Sequence, residues 1–136
     1  MRRHFLLPME DTEYLENCGL QWETVEEAGI RRVVVYGSPV PDGYQVSSVD
    51  FNLRIVDGYP DTLIDMAYFY PPLSRVDNKS IMAAVTDQSE CNFDGKIWQR
   101  WSRHRTAANP WRPGLDNVES HILLVDNWIK KELKKG

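Results

Sequence analysis

The sequence predicts a single α+β domain, with an N-terminal helix, a four-stranded antiparallel meander, an irregular segment and a long C-terminal helix. Three observations carry the prediction. The run Arg31-Arg32-Val33-Val34-Val35-Tyr36 has the β-branched composition of a buried strand. Residues 48–55 alternate, with Val49, Phe51, Leu53 and Ile55 on one face and polar side chains on the other. Beyond residue 116, Val118, Ile122, Val125, Ile129 and Leu133 recur at helical spacing. No repeat, linker or low-complexity run divides the chain, so residues 1–136 read as one domain.

The elements follow in order. Pro8-Met9-Glu10-Asp11 starts a short helix, with proline and acidic residues in the first turn and Gly19 as its left-handed stop. Leu20, Trp22 and Val25 mark a first strand, and Glu26 to Gly29 a turn into the second. Gly37-Ser38-Pro39 and Pro41-Asp42-Gly43 are loop signals before the third strand, and Asp57-Gly58-Tyr59-Pro60-Asp61 is the turn after it. A fourth strand spans 65–69 and ends at Tyr70-Pro71-Pro72, because tandem prolines cannot continue a ladder. Residues 73–92 give only a turn at 77–80 and an apolar patch at 81–85. Asp116 is placed to cap the last helix, Glu119 to complete a capping box, and Lys130, Lys131, Lys134 and Lys135 to face its negative end.

Composition narrows the function classes. With 42% hydrophobic and 26% charged residues, the chain is globular in type, and no apolar run is long enough to span a membrane. The N-terminal residues lack the apolar core and cleavage site of a signal peptide, so a cytoplasmic protein is expected. Cys18 and Cys91 are too few for a disulfide framework and have no metal-ligand spacing, so they give no reason to expect a metal. A net charge of −4 argues against nucleic-acid binding, although Trp98, Trp101 and Trp111 alternate with Arg100, Arg103, Arg105 and Arg112 in one locally basic stretch, 93–114.

In this order, the Tyr59-Pro60 turn, Tyr70-Pro71-Pro72, Asp94-Gly95-Lys96-Ile97 and Trp111-Arg112-Pro113 before a long helix resemble the ubiquitin-conjugating (UBC-like) fold. Gly58-Tyr59-Pro60-Asp61, the run from Trp98 to His104, and Trp111-Arg112-Pro113-Gly114 are similar to bacterial family E of these proteins. The resemblance implies three partners: a ubiquitin-like protein, a ThiF-type adenylating enzyme and a JAB-type peptidase. It implies neither metal nor nucleotide in this chain, and phage defence as a biological setting; the net charge and the lack of a spanning run leave no nucleic-acid or membrane partner expected. It also exposes departures. Conjugating enzymes of this fold use a His-Pro-Asn asparagine to stabilise the oxyanion, and Tyr70-Pro71-Pro72 stands at the matching positions. The catalytic cysteine follows a Gly-x-Ile sequence. That register gives Trp98, and a second one through Asp77 to Ile81 gives Met82.

Two other nucleophiles are candidates. Ser102 and His104, two residues apart, suit a hydroxyl and its general base, with Arg100, Arg103 and Arg105 offsetting the charge of a tetrahedral intermediate. Cys91 is the second, since cationic neighbours such as Lys96 and Arg100 favour a thiolate, although an unpaired cysteine is as readily a small buried residue. Trp98 and Trp101 are either core plugs or, with Arg100, Arg103 and Arg105, a partner-binding surface. His121, beside Ile122 on the long helix, reads as a boundary residue. Two functions stay open: a conjugating-type transferase that carries a ubiquitin-like C-terminus as an oxyester, or an inactive module of the same fold that presents the ubiquitin-like protein to another enzyme.

Overall fold

The computed structural model describes residues 1–135. Helix α1 (Met9–Asn17) precedes β1 (Trp22–Glu27), β2 (Ile30–Pro39), β3 (Ser48–Arg54) and β4 (Ala67–Tyr70), each strand antiparallel to the one before it. Gly19, at φ +76°, supplies the left-handed residue that ends α1.

The segment after the tandem prolines is more ordered than its sequence suggests. It contributes β5 (Ala84–Val85), a 3-10 turn (Ser89–Cys91), β6 (Asn92–Phe93), β7 (Lys96–Ile97) and β8 (Gln99–Trp101). Strand β8 pairs with β4 on one side and β5 on the other, extending the meander to six strands in the order β1-β2-β3-β4-β8-β5. Asp94 and Gly95, both at positive φ, form the two-residue turn between β6 and β7 that an Asp-Gly pair favours.

Strand alternation gives the sheet two different faces. Val33, Val35, Phe51, Leu53, Phe69 and Trp101 face α1 and α2 (Val118–Glu132) and form the main core. On the opposite face, Val25, Val34 and Tyr68 lie under Phe93 and Trp98, so the 86–98 segment closes over the back of the sheet. Adjacent side chains along β8 therefore face opposite sides of the sheet, Gln99 and Trp101 in front and Arg100 behind.

The entrance to α2 joins the two proline motifs. The Tyr59 hydroxyl donates to Asp11 (2.5 Å), and the Val118 amide donates to both Asp11 (3.2 Å) and the Tyr59 oxygen (3.0 Å). The Trp111 indole N–H donates to the Pro60 carbonyl at 2.9 Å. A buried carboxylate and a phenol thus satisfy a helix amide that would otherwise be orphaned.

Two details of α2 differ from the sequence reading. The cap is Asn117, which accepts from the Ser120 amide while the Ser120 hydroxyl accepts from the Asn117 amide. Asp116 instead accepts from the Arg112 amide at 2.6 Å, which closes the turn before the helix. His121 is fully buried, three residues after Val118 and four before Val125, and so lies on the core stripe itself.

Candidate functional site

Beyond β8 the chain leaves the sheet edge at Ser102. The Ser102 amide still donates to the Ala83 carbonyl (2.9 Å), which continues the pairing with the β5 side for one residue. Ser102, Arg103 and His104 then form one wall of a cleft of about 350 Å³, with Trp128, Lys131 and Lys135 opposite. Strand geometry fixes the serine, while His104 projects from the loop and is 61% exposed.

The His104 ring is nonetheless oriented. Its Nδ1 lies 2.8 Å from Asp65 Oδ2, so a neutral imidazole that donates there keeps Nε2 as an acceptor. The Ser102 Oγ accepts from Arg100 Nε at 3.0 Å, which leaves the hydroxyl proton uncommitted. No hydrogen bond joins Ser102 to His104, although both line the same cleft. Arg100 is anchored in turn by an ion pair with Glu90.

The other site candidates are placed elsewhere. Cys91 is fully buried under the back of the sheet, with its Sγ 3.6 Å from the Val85 carbonyl, so no acyl donor reaches its thiol. Trp98 and Trp101 are both fully buried and cannot form a docking surface. Trp98 packs between Phe93 and Tyr70, and its indole N–H donates to the Phe93 carbonyl (3.0 Å). Trp101 meets Phe69 edge-on in the main core and donates to Gln99. Both of these indole N–H groups have a partner, as buried tryptophans usually do, whereas that of the buried Trp22 has none. Met82, the alternative register, is an exposed side chain.

The arginines are mostly committed within the chain. Arg103 stacks on Trp101, donates to the Met82 carbonyl and pairs with buried Glu132 at 3.3 Å. Arg105 lies over Trp111, bonds the His121 ring at 3.3 Å and sits 3.9 Å from Asp116. Burial lowers the His121 pKa to about 4, and its Nε2 donates to the Met66 carbonyl at 2.8 Å. The interleaving of tryptophan and arginine therefore holds the loop down more than it offers a grip. Among the described residues, no group of His, Cys, Asp and Glu converges to hold a metal ion.

The architecture is an α+β domain with an N-terminal helix, an antiparallel sheet and a C-terminal helix, as in the E2/UBC fold. Against protein families, the prokaryotic E2 family E pattern matches residues 7–132. The chain belongs to prokaryotic E2 family E. No curated protein and no solved structure matches it.

Trp98, the residue that the Gly-x-Ile register read from the sequence selects, has its indole sealed in the back core. Ser102 lies four residues further on, at the open end of β8. Sequence reasoning missed Asp65, the partner of His104 across 39 residues, because nothing in a one-dimensional pattern pairs a carboxylate with so distant a loop. It also missed Glu90, which reaches Ser102 only through Arg100.

Proposed function

We propose that this prokaryotic E2 accepts the activated C-terminus of a ubiquitin-like protein as an oxyester on Ser102 and passes it to an amine. The observation that carries the reading is the Asp65–His104 pair beside Ser102 in one open cleft. Carboxylate, imidazole and hydroxyl are the three groups that activate an oxygen nucleophile. Proton transfer requires a movement of the 102–104 segment that brings His104 Nε2 to the Ser102 hydroxyl, and catalytic hydrogen bonds commonly tighten only when substrate is bound.

The chemistry balances with these residues. Ser102 Oγ attacks the activated carbonyl, His104 takes the hydroxyl proton, and the bond to the adenylating enzyme's leaving group breaks. That leaving group carries the proton away from His104. A target amine then attacks the ester, His104 takes a proton from the attacking nitrogen, and the Ser102 oxygen departs as His104 passes that proton to it. Arg100 Nε, already 3.0 Å from Oγ, stabilises negative charge on that oxygen as it leaves. The partners this reading calls for are a ubiquitin-like protein and a ThiF-type adenylating enzyme; a JAB-type peptidase would reverse the modification.

A second reading has its own support. The Ser102 hydroxyl is held by Arg100 rather than His104, and Arg103 and Arg105 are engaged internally. Those contacts suit an inactive module that presents the ubiquitin-like protein to another enzyme. Incubation with the adenylating enzyme, ATP and the ubiquitin-like protein separates the two. A thiol-resistant, hydroxylamine-labile adduct lost in Ser102→Ala supports the oxyester. Binding without any adduct supports the module.

A further inference from the structure

The cleft beside Ser102 carries more cations than its carboxylate can match. Its far wall is one face of α2 and the turn that follows, since Trp128, Lys131, Glu132 and Lys135 recur at helical spacing. Arg103 adds a third cation from the Ser102 wall, and Glu132 is the acidic residue of the lining. That carboxylate is buried and already shared. Arg103 and Lys135 each lie 3.3 Å from its Oε1, and buried Arg75 lies 3.7 Å from its Oε2. Lys130 pairs with Asp126 at 2.7 Å, whereas exposed Lys131 has no carboxylate partner among the described residues. With His104 neutral, Arg103, Lys131 and Lys135 against Glu132 leave a surplus of positive charge in the lining. Arg75 brings its own carboxylate, Asp77 at 2.6 Å, and His104 holds Asp65; with these counted too, the region stays positive.

Half-buried Trp128 gives the same wall an apolar surface beside these charges. From Trp128 to Lys135 the wall rises about 10 Å, the length of about three extended residues. Resting on Ser102 as the acceptor of the acyl group, we propose that this cleft selects ubiquitin-like proteins whose C-terminal tails carry acidic side chains just before the terminal residues. With the terminal carbonyl at Ser102, an extended tail brings side chains about two to four residues upstream level with Lys131 and Lys135. A basic tail would meet Arg103, Lys131 and Lys135, and would find only a buried carboxylate that three cations already engage. Like charge set against the wrong partner is what discriminates here, as much as attraction for the right one. The chain's net charge of −4 disfavours a long polyanion such as nucleic acid outside this local surplus.

The test titrates the full chain with two short peptides that end in Gly-Gly carboxamide, which removes the terminal charge. One has two glutamates before the glycines and the other two lysines, and binding is followed by NMR at fixed ionic strength. The glutamate peptide should give saturable shifts of the Trp128 indole N–H and the Lys131 and Lys135 amides, bind about fivefold or more tighter than the lysine peptide, and weaken with added salt. Lys131→Glu with Lys135→Glu, both at exposed positions, should reverse the preference and leave the fold intact. Equal binding of the two peptides, or no saturable shift with either, would overturn the proposal. Displacement of the glutamate peptide by inorganic phosphate or a short oligothymidylate at matched concentration would show a general anion surface and overturn it as well. The titration needs no adenylating enzyme, so it separates the two claims. Acidic preference without a Ser102 adduct would refute the oxyester alone, and an adduct without charge preference would refute the tail selection alone.

Discussion

Placing a cysteine at residue 98 should cost the fold and return no chemistry. Trp98 is fully buried, packs on Phe93 and Tyr70, and donates its indole N–H to the Phe93 carbonyl. Trp98→Cys removes most of that volume, for which large-to-small core substitutions at aromatic sites give about 3–5 kcal/mol. Losing the indole donor leaves the Phe93 carbonyl unmatched, at about 1 kcal/mol more. Against a total stability of about 5–15 kcal/mol, the loss is a large fraction. The assay is urea unfolding at neutral pH in a Cys18→Ser background, since Cys18 is the exposed native thiol. The same samples are then treated with a thiol reagent under native conditions and with the loaded adenylating enzyme. A strongly lowered unfolding midpoint, slow thiol labelling and no thiol-labile adduct are expected. An unchanged midpoint with rapid labelling would refute the placement of residue 98 in the back core.

Four further outcomes follow from the same geometry. Because burial holds His121 at about 4 against 6.5 when unfolded, stability should fall as pH drops through that window; His121→Gln, which keeps a donor for the Met66 carbonyl, should flatten the profile there. Glu23 works lower: hydrogen bonds from Arg2 hold it at about 2 against 4.5, so its contribution is complete above 4.5 and lost on acidification towards 2, and Glu23→Gln should remove that limb of the curve. Tyr59→Phe removes the donor to Asp11 and one acceptor of the Val118 amide, and urea unfolding should report a loss of about 1–2 kcal/mol. Asp65→Ala leaves His104 exposed and unanchored, and single-turnover adduct formation should slow by about 10²-fold or more, the usual scale of general-base catalysis, with thermal stability little changed.

The strands were legible because each has a face that must be apolar. Val33 and Val35, then Phe51 and Leu53, announce the main core by simple alternation. The long helix was legible for the same reason, but its stripe runs through His121 and Glu132, which are buried because Met66, Arg105, Arg75 and Arg103 give them partners. Polar residues on a core stripe look like boundary residues until their partners are known. Residues 73–98 were the least legible. Their strands are two residues long, and their anchors are remote, such as Asp94 held by Arg2 across 92 residues. The Ser102-x-His104 pair was visible in sequence, whereas the carboxylate that orients the histidine and the arginine contact that holds the serine required the fold.

The central claim is that Ser102 carries the ubiquitin-like C-terminus, and intact-mass analysis of the chain after loading by its adenylating enzyme tests it most directly. A single adduct that resists thiol, yields to hydroxylamine, maps to Ser102 and vanishes in Ser102→Ala is the predicted result. An adduct that persists in Ser102→Ala, or a thiol-labile one that maps to Cys91, would contradict it.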